Sequence, residues 1–215
     1  MPKIRTLMLA GIVAAFCGGS LLAEPGRTRD NECFENDNER RITGCTELLA
    51  KENLAPEVAA LAYATRALAF SLKGQYDKAI PDYDRALRIN PYFAVALNNR
   101  AWALYKSGKT DAGMTDIQRA LALAPGSAHA HDTRAHIFHA QGKASQALSD
   151  YRQAMRFSGE EMVKLYQCGL QAHGLYSGAI DGHYSVDLGK ALEACVENPR
   201  CDPLPADEEC RKVTS

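Results

Sequence analysis

Apolar and small residues recur through residues 60–159 with a period of 34. Gly74, Gly108 and Gly142 stand in register, as do Pro91 and Pro125, with Gly159 in the third place. The same alignment superposes Ala67, Ala101 and Ala135, then Phe70, Leu104 and Phe138, then Tyr83, Ile117 and Tyr151, and finally Ala86, Ala120 and Ala154. Within each unit these columns lie three or four positions apart on either side of the glycine, which predicts two amphipathic helices joined by a short turn. Pro91 and Pro125 cannot continue a helix and mark where the second one stops. The expected fold is all-α, a short solenoid of three helical hairpins.

The pattern resembles the tetratricopeptide repeat, whose second helix is matched closely by residues 74–91, GQYDKAIPDYDRALRINP. Gly113 departs from it, standing where Ala79 and Ala147 stand in the other units, so the second helix pair packs either closer or more loosely there. Arg66, Arg100 and Arg134 replace the usual Leu before the small residue. One reading is a basic stripe for an acidic partner. The other is internal pairing, because Asp82, Asp116 and Asp150 follow these arginines by 16 residues, which lets each repeat join its own Arg to its own Asp across its two helices. Internal pairing is the expected role.

The resemblance implies a concave inner face, formed by the first helices, that holds an extended peptide or a partner helix. The inner row of repeat 1 is bland: Leu61, Ala64, Thr65, Leu68 and Ser71. Repeat 2 offers Val95, Asn98, Asn99, Trp102 and Tyr105, with Lys106 beside them. Asparagines can donate to and accept from a peptide backbone, and Trp and Tyr give rigid apolar area, which makes this row the stronger candidate for recognition. Trp102 packing between neighbouring helices is the alternative. Repeat 3 contributes His129, Asp132, Thr133, His136 and His139, spaced along one helical face. Such a row can contact a ligand, hold a metal or simply line the face. Residues seven or ten apart on one helix point in parallel and do not converge, so no metal is expected. The expected protein-binding set is Asn98, Asn99, Trp102, Tyr105, Lys106, Asp132, His136 and His139.

The flanks set compartment and ends. Residues 1–23 carry Lys3 and Arg5, then an apolar run over 7–16, then small residues ending at Ala23, which is the layout of a secretory signal peptide. A lipoprotein anchor at Cys17 is the rival, disfavoured by the bulky Phe16 before it. The expectation is an exported, periplasmic protein without a membrane span once the signal is removed. Removal leaves 23 basic against 26 acidic side chains, a formal charge of −3, which argues against nucleic acid as the partner.

Six cysteines then remain, Cys33, Cys45, Cys168, Cys195, Cys201 and Cys210, two before the repeats and four after them. An even count in an exported chain reads as disulfides securing the ends of the solenoid, where no neighbouring repeat covers the core. No CxxC pair speaks for zinc. Cys33 sits in the expected N-terminal cap, residues 24–59, where Ile42, Cys45, Leu48 and Leu49 match the apolar columns of a repeat's second helix. A Cys33–Cys45 bond there would contribute about 3 kcal/mol in the chain-entropy picture. The four later cysteines allow three pairings. Cys195 with Cys201 and Cys168 with Cys210 is preferred, because the first closes a short turn and the second ties the tail back.

Residues 160–215 change character. Gln167, Leu170, Gly174, Tyr176, Gly178, Asp181 and Gly182 resemble the small three-helix peptidoglycan-binding domain, which implies peptidoglycan as a possible second partner. The glycines and Asp181 also have a purely mechanical reason to stand in a turn. Ser185 and Leu188 depart from the family's Gly and Thr. Pro199, Pro203 and Pro205 forbid a long helix in the tail. No nucleophile elbow, phosphate loop or zinc-protease helix occurs, and no cofactor is expected. The expected function is a non-enzymatic adaptor that binds an envelope protein or peptide in the concave face, with a cell-wall-associated module as the alternative.

Overall fold

The structure is a computed structural model that describes residues 32–204 and Cys210; the expected signal peptide lies outside the described residues. Their regular structure is helical throughout. In chain order the helices are α1 (Asn38–Leu49), α2 (Pro56–Leu72), α3 (Tyr76–Ile89), α4 (Ala94–Lys106), α5 (Thr110–Leu123), α6 (Ala128–Ala140), α7 (Ala144–Ser158), α8 (Glu160–Ala172) and α9 (Val186–Val196).

Three hairpins, α2–α3, α4–α5 and α6–α7, form the stack, and α3 meets α4 while α5 meets α6. Each hairpin turns at a glycine in the left-handed region: Gly74, Gly108 and Gly142 have φ of 71°, 81° and 70°. Side chains with a Cβ reach that conformation poorly, which explains the strict spacing of these residues. The helices end just before Pro91 and Pro125, as the sequence predicts.

Alanine columns let the helices approach closely, and large side chains fill the space between them. Ala67, Ala79, Ala86 and Ala101 are completely buried, as are Tyr83, Ile117 and Tyr151. Gly113 settles its two readings in favour of closer packing. A Cβ built there would lie 2.9 Å from the Ala101 carbonyl oxygen and 3.4 Å from Ile137 Cδ1, so α5 presses on α4 at this point.

Both ends are stapled. At the N-terminus α1 packs on α2, capped by Asp37, whose carboxylate accepts from the Arg40 amide at 2.8 Å. Cys33 bonds to Cys45, and the pair is buried with Leu48 and Ala62. At the C-terminus α8 and α9 both pack on α7, and one core runs from Ala135, Tyr151 and Met155 through Tyr166 and Leu170 to Leu188 and Leu192. The later disulfides are Cys168–Cys210 and Cys195–Cys201. Two helices of residues 160–215, α8 and α9, lie among the described residues. No helix among the described residues is long and apolar enough to cross a membrane.

Candidate functional site

The first helices of the hairpins line a cleft of about 650 Å³. Its walls include Leu68, Leu72, Val95, Trp102, Met162 and Leu165, and its polar positions include Asn98, Asn99, Lys106 and Asp202. Two of the apolar walls face water: Leu72 is 52% exposed and Val95 62%. Large apolar side chains left open in a concavity are what a docking surface requires, because they supply burial only once something covers them.

Of the repeat-2 row, Val95, Asn98, Asn99, Trp102 and Lys106 line this cleft, and Tyr105 stands behind Trp102 outside it. The Trp102 and Tyr105 rings lie 5.5 Å apart, and the Lys106 ammonium sits 5.4 Å from the Trp102 ring centroid. Trp102 also packs edge-on against the His136 ring at 5.3 Å, so it both lines the cleft and bridges two first helices. The Asn98 amide donates to Asn99 Oδ1 at 3.1 Å. That bond orients two amide groups that stand on the wall of the cleft.

Repeat 3 is different from the open row that its sequence suggests. Asp132 is 5% exposed and His136 2%. Their cover comes from outside the repeats. The Tyr166 hydroxyl of α8 donates to Asp132 Oδ1. His136 reaches the Asp132 carbonyl through Nδ1 at 2.8 Å and the Asp202 carboxylate through Nε2 at 2.9 Å. Burial pushes the Asp132 carboxyl above its ordinary value, a rise that the His136 charge and the Tyr166 hydrogen bond only partly offset. Burial alone would lower His136, but the carboxylates of Asp132 and Asp202 outweigh it and raise the imidazole to about 9. Asp202 is held below its usual value: burial acts the other way, and the bond from His136 prevails. His136 is thus an imidazolium between two carboxyl groups, fixed in place and not open to a partner. His139 is half-buried, with its pKa lowered by burial, and His129 is exposed at the cleft edge.

The arginines all point inward to their own repeat. Arg66 pairs with both oxygens of Asp82 at 2.6 and 2.9 Å. Arg100 does so with Asp116, and Arg134 with Asp150, each at 2.6 and 2.8 Å. Arg100 adds a contact to Asp84 of the preceding hairpin at 2.7 Å, so one guanidinium joins two repeats. In repeat 3 His131 also enters, bonding Asp150 at 2.8 Å and the Pro125 carbonyl at 2.9 Å.

Three residues that the sequence did not single out complete the site. Tyr166, His131 and Asp202 carry no repeat signature; only the polar character of His131, in a column occupied by Tyr63 and Leu97, could have flagged one of them. In the C-terminal turn, Gln167 is fully buried and spans the loop: it donates to Asp181 Oδ1 at 2.8 Å and the His183 carbonyl at 3.0 Å, and accepts from the Gly182 amide at 2.9 Å. The Tyr176 hydroxyl donates to the Ala179 carbonyl at 3.2 Å. Gln167, Tyr176, Asp181 and Gly182 therefore all take part in holding the turn. Among the described residues no group of three His, Cys, Asp or Glu side chains is placed to hold a metal ion.

Residues 60–93 and 94–127 each match a family model of the tetratricopeptide repeat. No curated protein matches the chain. Among solved structures, one of MamA superposes with a TM-score of 0.54 at 18% identity, over 69% of this chain and 84% of that one. MamA from Desulfovibrio magneticus RS-1, residue 41 to its end, gives a TM-score of 0.53 at 18% identity, over 65% and 76%. The chain spans 63% of a further MamA structure, with a TM-score of 0.48 over 56% of its own length. The likeness to the first two of these shows the shared solenoid fold. The chain carries tetratricopeptide repeats, and such repeats imply protein partners.

Proposed function

We propose that this protein is an exported, non-enzymatic adaptor that holds an apolar segment of an envelope protein in the concave cleft of repeats 1 and 2. The observation that carries this reading is the open wall of Leu72 and Val95 facing the oriented amides of Asn98 and Asn99 and the Trp102–Lys106 pair. Apolar side chains of the segment would supply the burial, and the amides would read its backbone. Lys106 adds one cation at the inner end, favouring a segment with a carboxylate there. The layout of residues 1–23 supports export, and the disulfides at both ends fit an oxidising compartment.

A photo-crosslinking side chain at position 95, inside the cleft, and at position 118, on an exposed face of α5, tests this in living cells. A partner captured from position 95 and not from 118, and lost in Trp102→Ala, is expected. Capture from both positions alike, or none from position 95, would sink the assignment.

A further inference from the structure

The tail segment 201–204 enters the cleft at its repeat-3 end. Asp202 and Leu204 line the same cavity as Trp102, Lys106 and Asp132. The segment is anchored to the C-terminal core by Cys201 and Pro203, both buried, while Leu204 packs against that core only partly buried and the Asp202 side chain is 45% exposed. It has no helical structure and bends at residues 203–204. Its carboxylate takes a hydrogen bond from His136 at 2.9 Å, Pro203 is buried, and the main chain of Asp202 meets His173 Nε2 at 3.1 Å. The Leu204 amide turns back onto Asp202 Oδ1 at 3.0 Å.

The repeat register makes this contact informative. Asp132 and His136 occupy the columns that hold Asn98 and Trp102 one repeat earlier, and Ala64 and Leu68 two repeats earlier. The same two columns are therefore covered by chain in repeat 3 and left as cleft wall in repeat 2. Cys201, directly before Asp202, is bonded to Cys195 at the end of α9, and Cys210 is bonded to Cys168 of α8. Both staples keep the segment beside the groove.

We propose that Asp202, Pro203 and Leu204 are an internal ligand of the groove, which a partner must displace to use all three repeats. This inference rests on the docking role of the cleft and specifies its partner: a non-helical segment with a carboxylate followed two residues later by an apolar side chain. Such a segment satisfies His136 and the Leu204 position together, in the order in which the tail does. Until displacement, partners are confined to repeats 1 and 2.

The test uses the full chain and a labelled synthetic peptide of residues 200–206 with Ser in place of Cys201. Trp102, the sole tryptophan, reports on the cleft. In Asp202→Ala/Leu204→Gly, acrylamide quenching of Trp102 should rise, far-UV helicity should hold, and the peptide should bind at least ten-fold more tightly than to the wild type. Cys195→Ser/Cys201→Ser, which frees the segment without altering its contact residues, should bind the peptide to an intermediate degree. Equal binding to wild type and both variants, or no binding to any of them, would overturn the proposal, as would unchanged quenching in the first variant. Because no external partner is needed, a failed crosslink at position 95 with a successful titration removes the docking role alone, and the reverse result removes only the internal ligand.

Discussion

The two ends of the groove are built from the same repeat and behave as different materials. At repeats 1 and 2 the wall is apolar and uncovered, with Leu72 and Val95 facing water and few ionisable groups near them. At repeat 3 the corresponding helix positions are polar, buried and tied to α8 and the tail through Asp132, His136, Tyr166 and Asp202. A polar row in a solenoid is therefore not in itself a recognition surface. What decides is whether another part of the chain supplies its partners: where it does, the row holds the fold together, and where it does not, the surface is left for something else.

The sharpest way to break the contrast is to remove one member of the buried set. His136→Ala leaves two carboxyl groups without their cation and should cost about 3–5 kcal/mol in urea unfolding. An equivalent truncation at the open end, Asn98→Ala, should cost about 1 kcal/mol or less. Comparable losses at both ends would show that the two are not different in kind.

Titration probes the same end with a smaller effect. The His136 imidazole is raised above its unfolded value, so its contribution is fully present below about pH 6.5, where the unfolded chain is also protonated, and is lost as pH rises through about 9. The groups facing it are Asp132 and His139 on its own helix, Tyr151 from α7, Tyr105 from α4 and Asp202 from the tail, with Tyr166 from α8 bonded to Asp132 and Lys106 from α4 acting on Asp202. The unfolding midpoint should fall between pH 7 and 10 by the equivalent of about 2 kcal/mol, and His136→Gln should flatten that slope. A slope retained in the variant would assign it to another group.

Gly113→Ala addresses the link between the ends, since a methyl group there meets the Ala101 carbonyl and Ile137 of α6. A loss of about 1–3 kcal/mol is expected from thermal unfolding, whereas Ala79→Gly and Ala147→Gly, the converse changes in the other repeats, should each cost about 1 kcal/mol. The smallest effect belongs to the open wall. Leu72→Ser should change stability by about 0.5 kcal/mol or less, while abolishing capture from the crosslinker at position 95; a large loss of stability would mean that this side chain is already covered.

How much was legible in the sequence follows the distance over which each contact acts. The hairpins were readable because every repeat restates its columns and its glycine, and the arginine ladder because both members of each pair lie inside one hairpin. Even the two C-terminal disulfides were accessible by geometry, one closing a short turn and the other tying the tail back. The cover over repeat 3 was not. Asp202 lies 66 residues from His136, out of register, and Tyr166, although one period of 34 after Asp132, falls in a column whose earlier members Ala64, Asn98 and Asp132 share no residue type. Read alone, α6 shows a face of His and Asp with no sign of burial, because the groups that bury it belong to α8 and the tail and match no residue type of the repeats.

Gly159 stands between α7 and α8 as the C-cap of the first and the N-cap of the second, with φ of 71°. A single connecting residue leaves no slack between the two helices. One inserted residue before Glu160 would turn α8 by about 100° about its axis, carrying the Tyr166 hydroxyl away from Asp132 and the Cys168 anchor of the tail with it. The junction thus works as a fixed phase between the stack and its lid, so that chain length at this one spot, more than the identity of any side chain, determines whether the far end of the groove is shut.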